Sequence, residues 1–400
     1  MRGMLRIITV LSLAAGAWAF GAPTGFAADK PPIRIGAILP MSGPIASVGK
    51  PFHAGIALGV EDVNAEGDIN GSKLELVTED DQLNPAQSVV VIRKLAASNV
   101  VAVLGPVSGT SWENVAPLVP SLKLPTINIT ALKPEIANNE WTLRVEPNDA
   151  MMIPEALTEF VKAYPKVKRV MVMGDMKEAS AEAGVQEIIK FAKGHGLTVL
   201  DTLEYQTGTT DFSPIVIKTR GANPDAVLST GLLPPILKLV KEMASQGVSL
   251  PHFTNAMVWP GPTPNIVGID GKNLMTAAFS TNEEEPGNDR HNKFVAKFVD
   301  RLKGESGIPT PANSANSTLH YDTVFILAKI MREKGIDGNT PVDKARQLIK
   351  EGLAGVKSYD GVTKLVVHND RNGYIPSHLV KVDPEAKMWK YVLPPDQRGK

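Results

Sequence analysis

Runs of apolar residues alternate with segments of helical period along most of the chain after residue 30. Ile33–Leu39 is a mainly apolar run between prolines, which is typical of a buried strand. His53–Ala65 then has apolar residues near helical spacing, and Gly67 ends that predicted helix. Leu74–Thr78 follows as a second strand. Because strands and helices keep alternating in this way, we expect an α/β fold of parallel sheets with crossover helices.

The same pattern divides the chain into two units. Predicted strands fall into two groups, at residues 30–146 and 147–275. The helices predicted after residue 275 are too few for a third domain, so we expect this part to return to both units. From Tyr359 the pattern changes to short strands, and residues 393–400 are expected to form a flexible tail. A chain of 400 residues is also too long for one ordinary core, which agrees with two domains.

Two loops that follow predicted strands and precede predicted helices carry candidate ligand contacts. Open α/β sheets place ligands at such loops. Met41 and Ser42 begin the first loop, where Ser42 also fits a simple turn. Ser108, Gly109 and Thr110 form the second, whose backbone N–H groups and hydroxyls suit a carboxylate. An ordinary N-cap of the next helix explains the same residues equally well, and the local sequence leaves both interpretations open.

Composition and charge disfavour several classes of protein. The chain has 42 basic and 42 acidic residues, whereas nucleic-acid-binding proteins usually show a basic excess or patch. It has no cysteine, which excludes disulfides, thiol nucleophiles and cysteine-ligated metals. Its seven histidines form no H-x-x-x-H or H-E-x-x-H pair. We therefore expect no metal site and no cofactor.

The N-terminus has the features of a secretory signal peptide. Arg2 and Arg6 flank the start of a short apolar core at Ile7–Ala19, and small residues follow at two cleavage sites. We assign residues 1–27 to the signal peptide, with cleavage after Ala27. An uncleaved membrane anchor is the weaker interpretation, because the core is shorter than the roughly 20 residues that span a bilayer. The mature chain is expected in the periplasm.

Seven short motifs follow one another in the order of a known protein family. Together they cover nearly the whole mature chain. They are Pro40-Met41-Ser42-Gly43-Pro44, Glu61-Asp62-Val63-Asn64-Ala65, Glu79-Asp80-Asp81, Gly105-Pro106-Val107-Ser108-Gly109, Thr210-Asp211-Phe212-Ser213, Tyr321-Asp322-Thr323-Val324 and Tyr359-Asp360-Gly361-Val362. On these motifs the chain resembles the periplasmic substrate-binding proteins of branched-chain amino acid ABC transporters, the leucine/isoleucine/valine-binding class with the type I periplasmic binding fold.

The resemblance implies two Rossmann-like lobes with parallel central sheets, joined by a hinge of three crossing strands. The first lobe would hold residues 32–146 and 280–345, and the second lobe residues 147–276 and 350–392. The crossings would lie near Arg144–Pro147, Ala277–Asn282 and Ala354–Val362. In this family the ligand binds between the lobes, and hinge closure buries it.

The resemblance also implies ligand contacts in the first lobe. In this family the loop at residues 108–110 holds the ligand's carboxylate, and the end of the next strand contacts its carboxylate and amino group. Thr130 also fits a capping role, and Tyr321 also fits core or hinge packing. The candidates of the first lobe are Met41, Ser42, Ser108, Gly109, Thr110, Asn128, Thr130 and Tyr321.

The second lobe departs from the amino-acid-binding pattern of the family. A Tyr is common after the strand that ends at Met173, and a Glu that pairs with the ligand's ammonium is expected after the strand near Phe253. This chain has neither residue there. A buried ammonium without a carboxylate partner is costly, so a standard α-amino acid is in doubt unless Asp175 or Glu178 supplies the charge.

The chemistry found in the second lobe instead is largely apolar and suits a flat or aromatic ring. Packing of the lobe's own core explains the apolar residues equally well. Lys177 would meet a second carboxylate, although a solvated loop face is the simpler interpretation of Lys177 and Glu178. The candidates of the second lobe are Met176, Lys177, Leu232, Leu233, Met257 and Trp259.

The leading hypothesis is an exported, monomeric solute-binding protein of an ABC importer. It would capture a small carboxylate-bearing ligand, either amino-acid-like or an aromatic or other organic acid, and deliver it to permease subunits in the inner membrane. A ligand-sensing subunit of a signalling system with the same fold is the alternative. An enzyme is disfavoured because the sequence has no G-x-S-x-G, no G-x-x-x-x-G-K-[ST] and no G-x-G-x-x-G that opens a helix.

Overall fold

A computed structural model describes residues 30–398 of the chain. Residues 44, 134, 136–138, 286, 306–307 and 309–312 within this range are not described. The predicted signal peptide, Pro44 and most of the short helix predicted at 134–139 therefore lie outside the described residues. In the part that is described, no helix is long and apolar enough to cross a membrane.

The first lobe is built on a sheet of five parallel strands in the order β2-β1-β3-β4-β5. Its chain segment alternates strand and helix, as the pattern predicts. The elements are β1 (Ile33–Leu39), α1 (Ala46–Glu66), β2 (Leu74–Asp80), α2 (Pro85–Ala97), β3 (Ala102–Leu104), α3 (Gly109–Val115), α4 (Val119–Leu122), β4 (Thr126–Asn128) and β5 (Thr142–Arg144).

The second lobe is built on a sheet of seven strands, of which five come from the middle of the chain and run parallel. Its helices again connect successive strands. The elements are α5 (Asp149–Ala163), β6 (Arg169–Asp175), α6 (Ala179–Gly194), β7 (Thr198–Tyr205), α7 (Ser213–Ala222), β8 (Ala226–Thr230), α8 (Leu233–Ser245), β9 (His252–Thr254), α9 (Thr263–Val267) and β10 (Leu274–Ala278).

The rest of the chain returns to both lobes. Helix α11 packs along α1 in the first lobe, and α12 contacts β5, whereas β14 pairs with β10 and completes the second sheet with β15. The elements are α10 (Asp289–Leu302), α11 (Ser317–Glu333), α12 (Val342–Gly355), β11 (Ser358–Asp360), β12 (Lys364–Val367), β13 (Gly373–Tyr374), β14 (His378–Asp383) and β15 (Met388–Tyr391). The expectation of two α/β lobes with parallel central sheets is confirmed.

The chain passes between the lobes after β5, after β10 and after α12. The third passage contains a small antiparallel sheet, β11-β12-β13, that lies beside the first passage. There the backbone N–H of Arg144 donates to the carbonyl of Arg371 over 3.2 Å. The lobe boundary predicted at residue 350 falls inside α12, which runs on to Gly355. The other lobe boundaries stay predictions.

Helix α1 starts seven residues before the predicted His53, at Ala46, and holds Pro51 in its interior. A proline removes one helical hydrogen bond, and this is why the sequence pattern places the segment up to Gly49 in a loop. At the other end of the chain, Pro395–Gln397 form a 3-10 turn and the Arg398 guanidinium lies 3.6 Å from the centre of the Tyr391 ring. Flexibility of this tail in solution stays a prediction.

Candidate ligand cleft

The loops at the carboxyl ends of both sheets face each other across a small cavity, which we call the cleft cavity. Its volume is about 30 Å³, room for little more than a water molecule, so a larger solute fits only if the walls move apart. Both lobes and the first passage between them contribute side chains. The lining residues are Ile45, Val48, Phe52, Val107, Thr130, Leu132, Glu146, Leu232, Leu233, Ala256, Met257, Pro260 and Asn316.

Four of the predicted contacts line the cleft cavity: Thr130, Leu232, Leu233 and Met257. Leu232 and Leu233 reach it because β8 ends at Thr230 and α8 begins immediately afterwards, with prolines in its first turn. Thr130 is held by its hydroxyl, which donates to the carbonyl of Val107 over 3.0 Å. The structure therefore brings these side chains together, and their contact with a ligand stays a prediction.

The predicted carboxylate loop is occupied by groups of the protein itself. The Ser108 hydroxyl oxygen accepts from the backbone N–H of Ser111, which is the N-cap alternative. The backbone N–H of Thr110 donates to Oε1 of Glu178 in the second lobe over 3.2 Å. Gly109 lies against the same loop of the second lobe, where a Cβ would be 2.3 Å from the Ser180 hydroxyl oxygen.

These groups belong to a set of contacts between the lobes that we call the clasp, formed by Gly109, Thr110 and Leu132 with residues 178–180. Besides the bond to Glu178, the Ala179 N–H donates to the Thr110 hydroxyl oxygen over 3.2 Å. The Leu132 N–H donates to the Ser180 hydroxyl oxygen, also over 3.2 Å. The clasp therefore joins the two lobes directly beside the cleft cavity.

Glu178 is buried, and its placement on a solvated loop face was wrong. Its carboxylate accepts from Thr110 across the cleft and from the Ala181 N–H at the start of α6, so it serves the N-terminal turns of two helices. Burial raises the pKa of Glu178, and these backbone donors oppose that shift. Lys177 is exposed, as the simpler interpretation has it, and does not line the cleft cavity.

Three further predicted contacts have structural roles away from the cleft cavity. The turn after β1 is closed by Asp80, whose carboxylate accepts from the Met41 N–H and the Ser42 hydroxyl. The side chain of Asn128 caps its own turn by accepting from the N–H groups of Thr130 and Ala131. None of these three predicted residues, Met41, Ser42 and Asn128, lines the cleft cavity.

The remaining three candidates also lie outside the cleft cavity. Trp259 is fully buried and packs edge-on against Phe279, with ring centres 4.6 Å apart. Met176 packs against the main apolar core. The Tyr321 hydroxyl donates to Asp62 over 2.8 Å, and Tyr321 lines a different cavity of about 710 Å³, between helices of the first lobe and the third passage. Trp259 and Tyr321 therefore make packing contacts in this structure, as their alternative interpretation has it, and ligand contact by either residue stays a prediction.

Two polar residues of the cleft cavity were not among the candidates, Glu146 and Asn316. Glu146 follows β5 in the first passage, and Asn316 precedes α11, 170 residues further on. The Asn316 Nδ2 donates to Glu146 Oε1 over 2.7 Å. Burial raises the pKa of Glu146 well above its usual range. An acid at a predicted crossing beside a strand end was the only signal for this pair in the sequence.

Two lobes whose strand ends enclose a cavity, joined by three passages, define a ligand-binding protein that closes by hinge motion. A family model described as "Periplasmic binding protein" matches residues 32–383. The chain belongs to this family, and its fold is the type I periplasmic binding fold.

Relatives of the chain are binding proteins. It is 26% identical over 306 residues to the leucine-, isoleucine-, valine-, threonine- and alanine-binding protein of Pseudomonas aeruginosa, covering 76% of this chain and 79% of the relative. A leucine-binding protein of Thermotoga maritima has a similar structure, with a TM-score of 0.77, 20% identity, and 91% and 99% of the two chains covered. So does an R. palustris solute-binding protein in complex with 4-hydroxybenzoate, with a TM-score of 0.76, 21% identity, and 90% and 95% covered.

Proposed function

We propose that this chain is the exported solute-binding protein of an ABC importer. It captures a small organic ligand between its lobes and delivers it to permease subunits in the inner membrane, as a monomer and without chemical change to the ligand. One observation carries this proposal: a mostly apolar cavity whose walls come from both lobes, beside a clasp that forms only when the lobes meet. Such a site is complete only in the closed protein, as a capture-and-release cycle requires.

The ligand class follows from the cavity walls and from the relatives. Aliphatic side chains of both lobes would enclose a short hydrocarbon body, aliphatic or aromatic. The relatives named for amino acids and the structure that contains 4-hydroxybenzoate support an amino-acid-like ligand or an aromatic or other organic acid for this chain. A ligand carboxylate at Thr110 would have to displace the carboxylate of Glu178.

A screen of thermal stability tests the proposal. The mature chain, beginning at Ala28, is melted with amino acids and with benzoate-type and aliphatic carboxylates. A ligand that binds the folded state at about 100 times its dissociation constant stabilises it by about 2.7 kcal/mol. Saturable stabilisation by one class, with the ligand recovered unchanged by mass spectrometry, is the expected result. Conversion of the ligand to a product would contradict a pure binding function.

A further inference from the structure

Two residues that line the cleft cavity each have a buried oxygen atom without a hydrogen-bond partner in the described structure. They are Oε2 of Glu146 and Oδ1 of Asn316. Only 1% of Glu146 and 2% of Asn316 is exposed, and both residues line the cavity. A buried polar atom is rarely left without a partner, so such atoms in residues that line a cavity indicate a group that binds there.

The contact between the two residues determines what they offer. The Asn316 amide donates through Nδ2 to Oε1 of Glu146, and its carbonyl oxygen is left without a partner. Glu146 has its second carboxylate oxygen left. The Asn316 oxygen can only accept, and the Glu146 oxygen accepts once the acid is ionised, a state that a positive charge beside it favours against the effect of burial. Both atoms therefore suit a partner with several donors and a positive charge.

None of the described Lys, Arg and His residues forms a salt bridge with Glu146. Among the described residues that line the cavity there is no Lys, Arg or His. The nearby Arg144 guanidinium acts on Glu146 through its charge without a salt bridge, and donates its hydrogen bonds to the backbone carbonyls of Ala131 and Lys133. A buried carboxylate needs a partner, and here the ligand is the available source.

We propose that Glu146 and Asn316 form a subsite for a protonated primary amine of the ligand, with one N–H donated to Oε2 of Glu146 and another to Oδ1 of Asn316. The inference rests on the proposed function and names the ligand class: a primary amine on a short apolar body. The apolar body lies against Leu232, Leu233 and Met257, which the second lobe contributes to the same cavity. The acid comes from the first passage between the lobes, not from the loops of the second lobe where the resemblance implies it.

Matched probes that differ only in the amine test this subsite. Leucine is compared with 4-methylpentanoate, which lacks the amine, and with 3-methylbutylamine, which lacks the carboxylate. Phenylalanine and 3-phenylpropanoate form an aromatic pair. Dissociation constants are measured by calorimetry on the mature protein. In at least one set the amine-bearing member should bind more tightly than its amine-free partner by about tenfold or more, the gain of a charged hydrogen bond.

Two variants separate recognition from stability. Glu146→Gln keeps the shape and the contact to Asn316 but removes the charge, so the preference for the amine should fall about tenfold while the amine-free probe keeps its affinity. Glu155→Gln is the control, since that carboxylate bonds Tyr374 and Ser377 and does not line the cavity. There the preference should stay as in the wild type.

Three results would overturn the inference. Tighter binding of the amine-free probes by the wild type would show that the subsite does not bind an amine. An equal loss of affinity for all probes in Glu146→Gln would assign Glu146 a structural role only. Binding of carboxylates alone overturns this inference and leaves the proposed function standing, whereas failure of every probe and of the whole ligand screen counts against both.

Discussion

Gly109 makes closure of the two lobes testable by a single methyl group. It lies in the first turn of α3, and its backbone is not in the left-handed region, so alanine fits the helix itself. In the closed protein the added Cβ would lie 2.3 Å from the Ser180 hydroxyl oxygen and 2.8 Å from the Ser180 backbone nitrogen. These distances are far below van der Waals contact, so Gly109→Ala should hold the lobes apart.

The magnitude follows from the bonds that separation would break. The clasp contains three hydrogen bonds between the lobes, each 3.2 Å long, donated by the N–H groups of Thr110, Leu132 and Ala179. Each contributes a net ~0.5–1.5 kcal/mol, so loss of all three weakens closure by about 1.5–4.5 kcal/mol. Because the proposed capture needs the lobes to meet around the ligand, its dissociation constant should rise about tenfold to about a thousandfold. The free energy of unfolding of the first lobe without ligand should be unchanged or rise by about 0.4–1 kcal/mol, since alanine restricts the unfolded chain.

Calorimetric titration and chemical unfolding measure the two effects separately. The titrant is leucine or 4-hydroxybenzoate, whichever stabilises the wild type. Gly194→Ala is the matched control, because it adds the same methyl group at the end of α6, where nothing lies within 4 Å. It should leave the affinity unchanged. Wild-type affinity in Gly109→Ala would refute the reasoning, since the ligand would then be held without the contact between the lobes seen here.

Three further predictions concern separate sites. Burial lowers the pKa of His252 and of His320 to about 4; their neutral forms therefore stabilise the fold fully above about pH 6.5, and roughly 2–3 kcal/mol per histidine is lost as the pH falls to about 4.5. Urea unfolding at about pH 6.5 and about pH 4.5 should show that the unfolding free energy of His252→Gln falls by roughly 2–3 kcal/mol less than that of the wild type. A fall as large as in the wild type would contradict this prediction. Tyr321→Phe should leave ligand affinity within about twofold, because its hydroxyl bonds Asp62 outside the cleft cavity. Met257→Ala, by contrast, should weaken binding by about tenfold or more in the same titration, and the reverse order of these two variants would exclude the cleft cavity as the site.

Much of the fold could be predicted because its determinants are local. The strand at Ile33–Leu39 shows in the sequence as an apolar run between prolines, and the structure gives those same bounds. The start of α1 could not be placed in this way, since Pro51 ends a helix by local rules and here lies inside one. The end of the second lobe was also uncertain, because β14 joins β10 through an antiparallel pairing about one hundred residues away, which no local pattern records.

The site was harder to predict because its chemistry depends on contacts between distant segments. Leu232, Leu233 and Met257 could be found, since each follows directly after a strand and strand ends define the cleft. Glu178 looked like a solvated acid because the sequence does not show that the start of α3 comes to meet it. Part of its surroundings comes from the other lobe, and the sequence of the loop does not indicate that contact.

The same reasoning applies to the missing acid of the second lobe. Looking for a carboxylate after one particular strand assumes that only that position reaches the ligand. The first passage between the lobes reaches the same cavity, however, and Glu146 lies on it beside Asn316, 170 residues away. An acid on the hinge side differs in one physical respect from an acid on a lobe: it belongs to the part about which the lobes turn, so it can hold the ligand's amine before they close. Closure then adds the apolar wall of Leu232, Leu233 and Met257, so in this arrangement charge selects the ligand first and shape second.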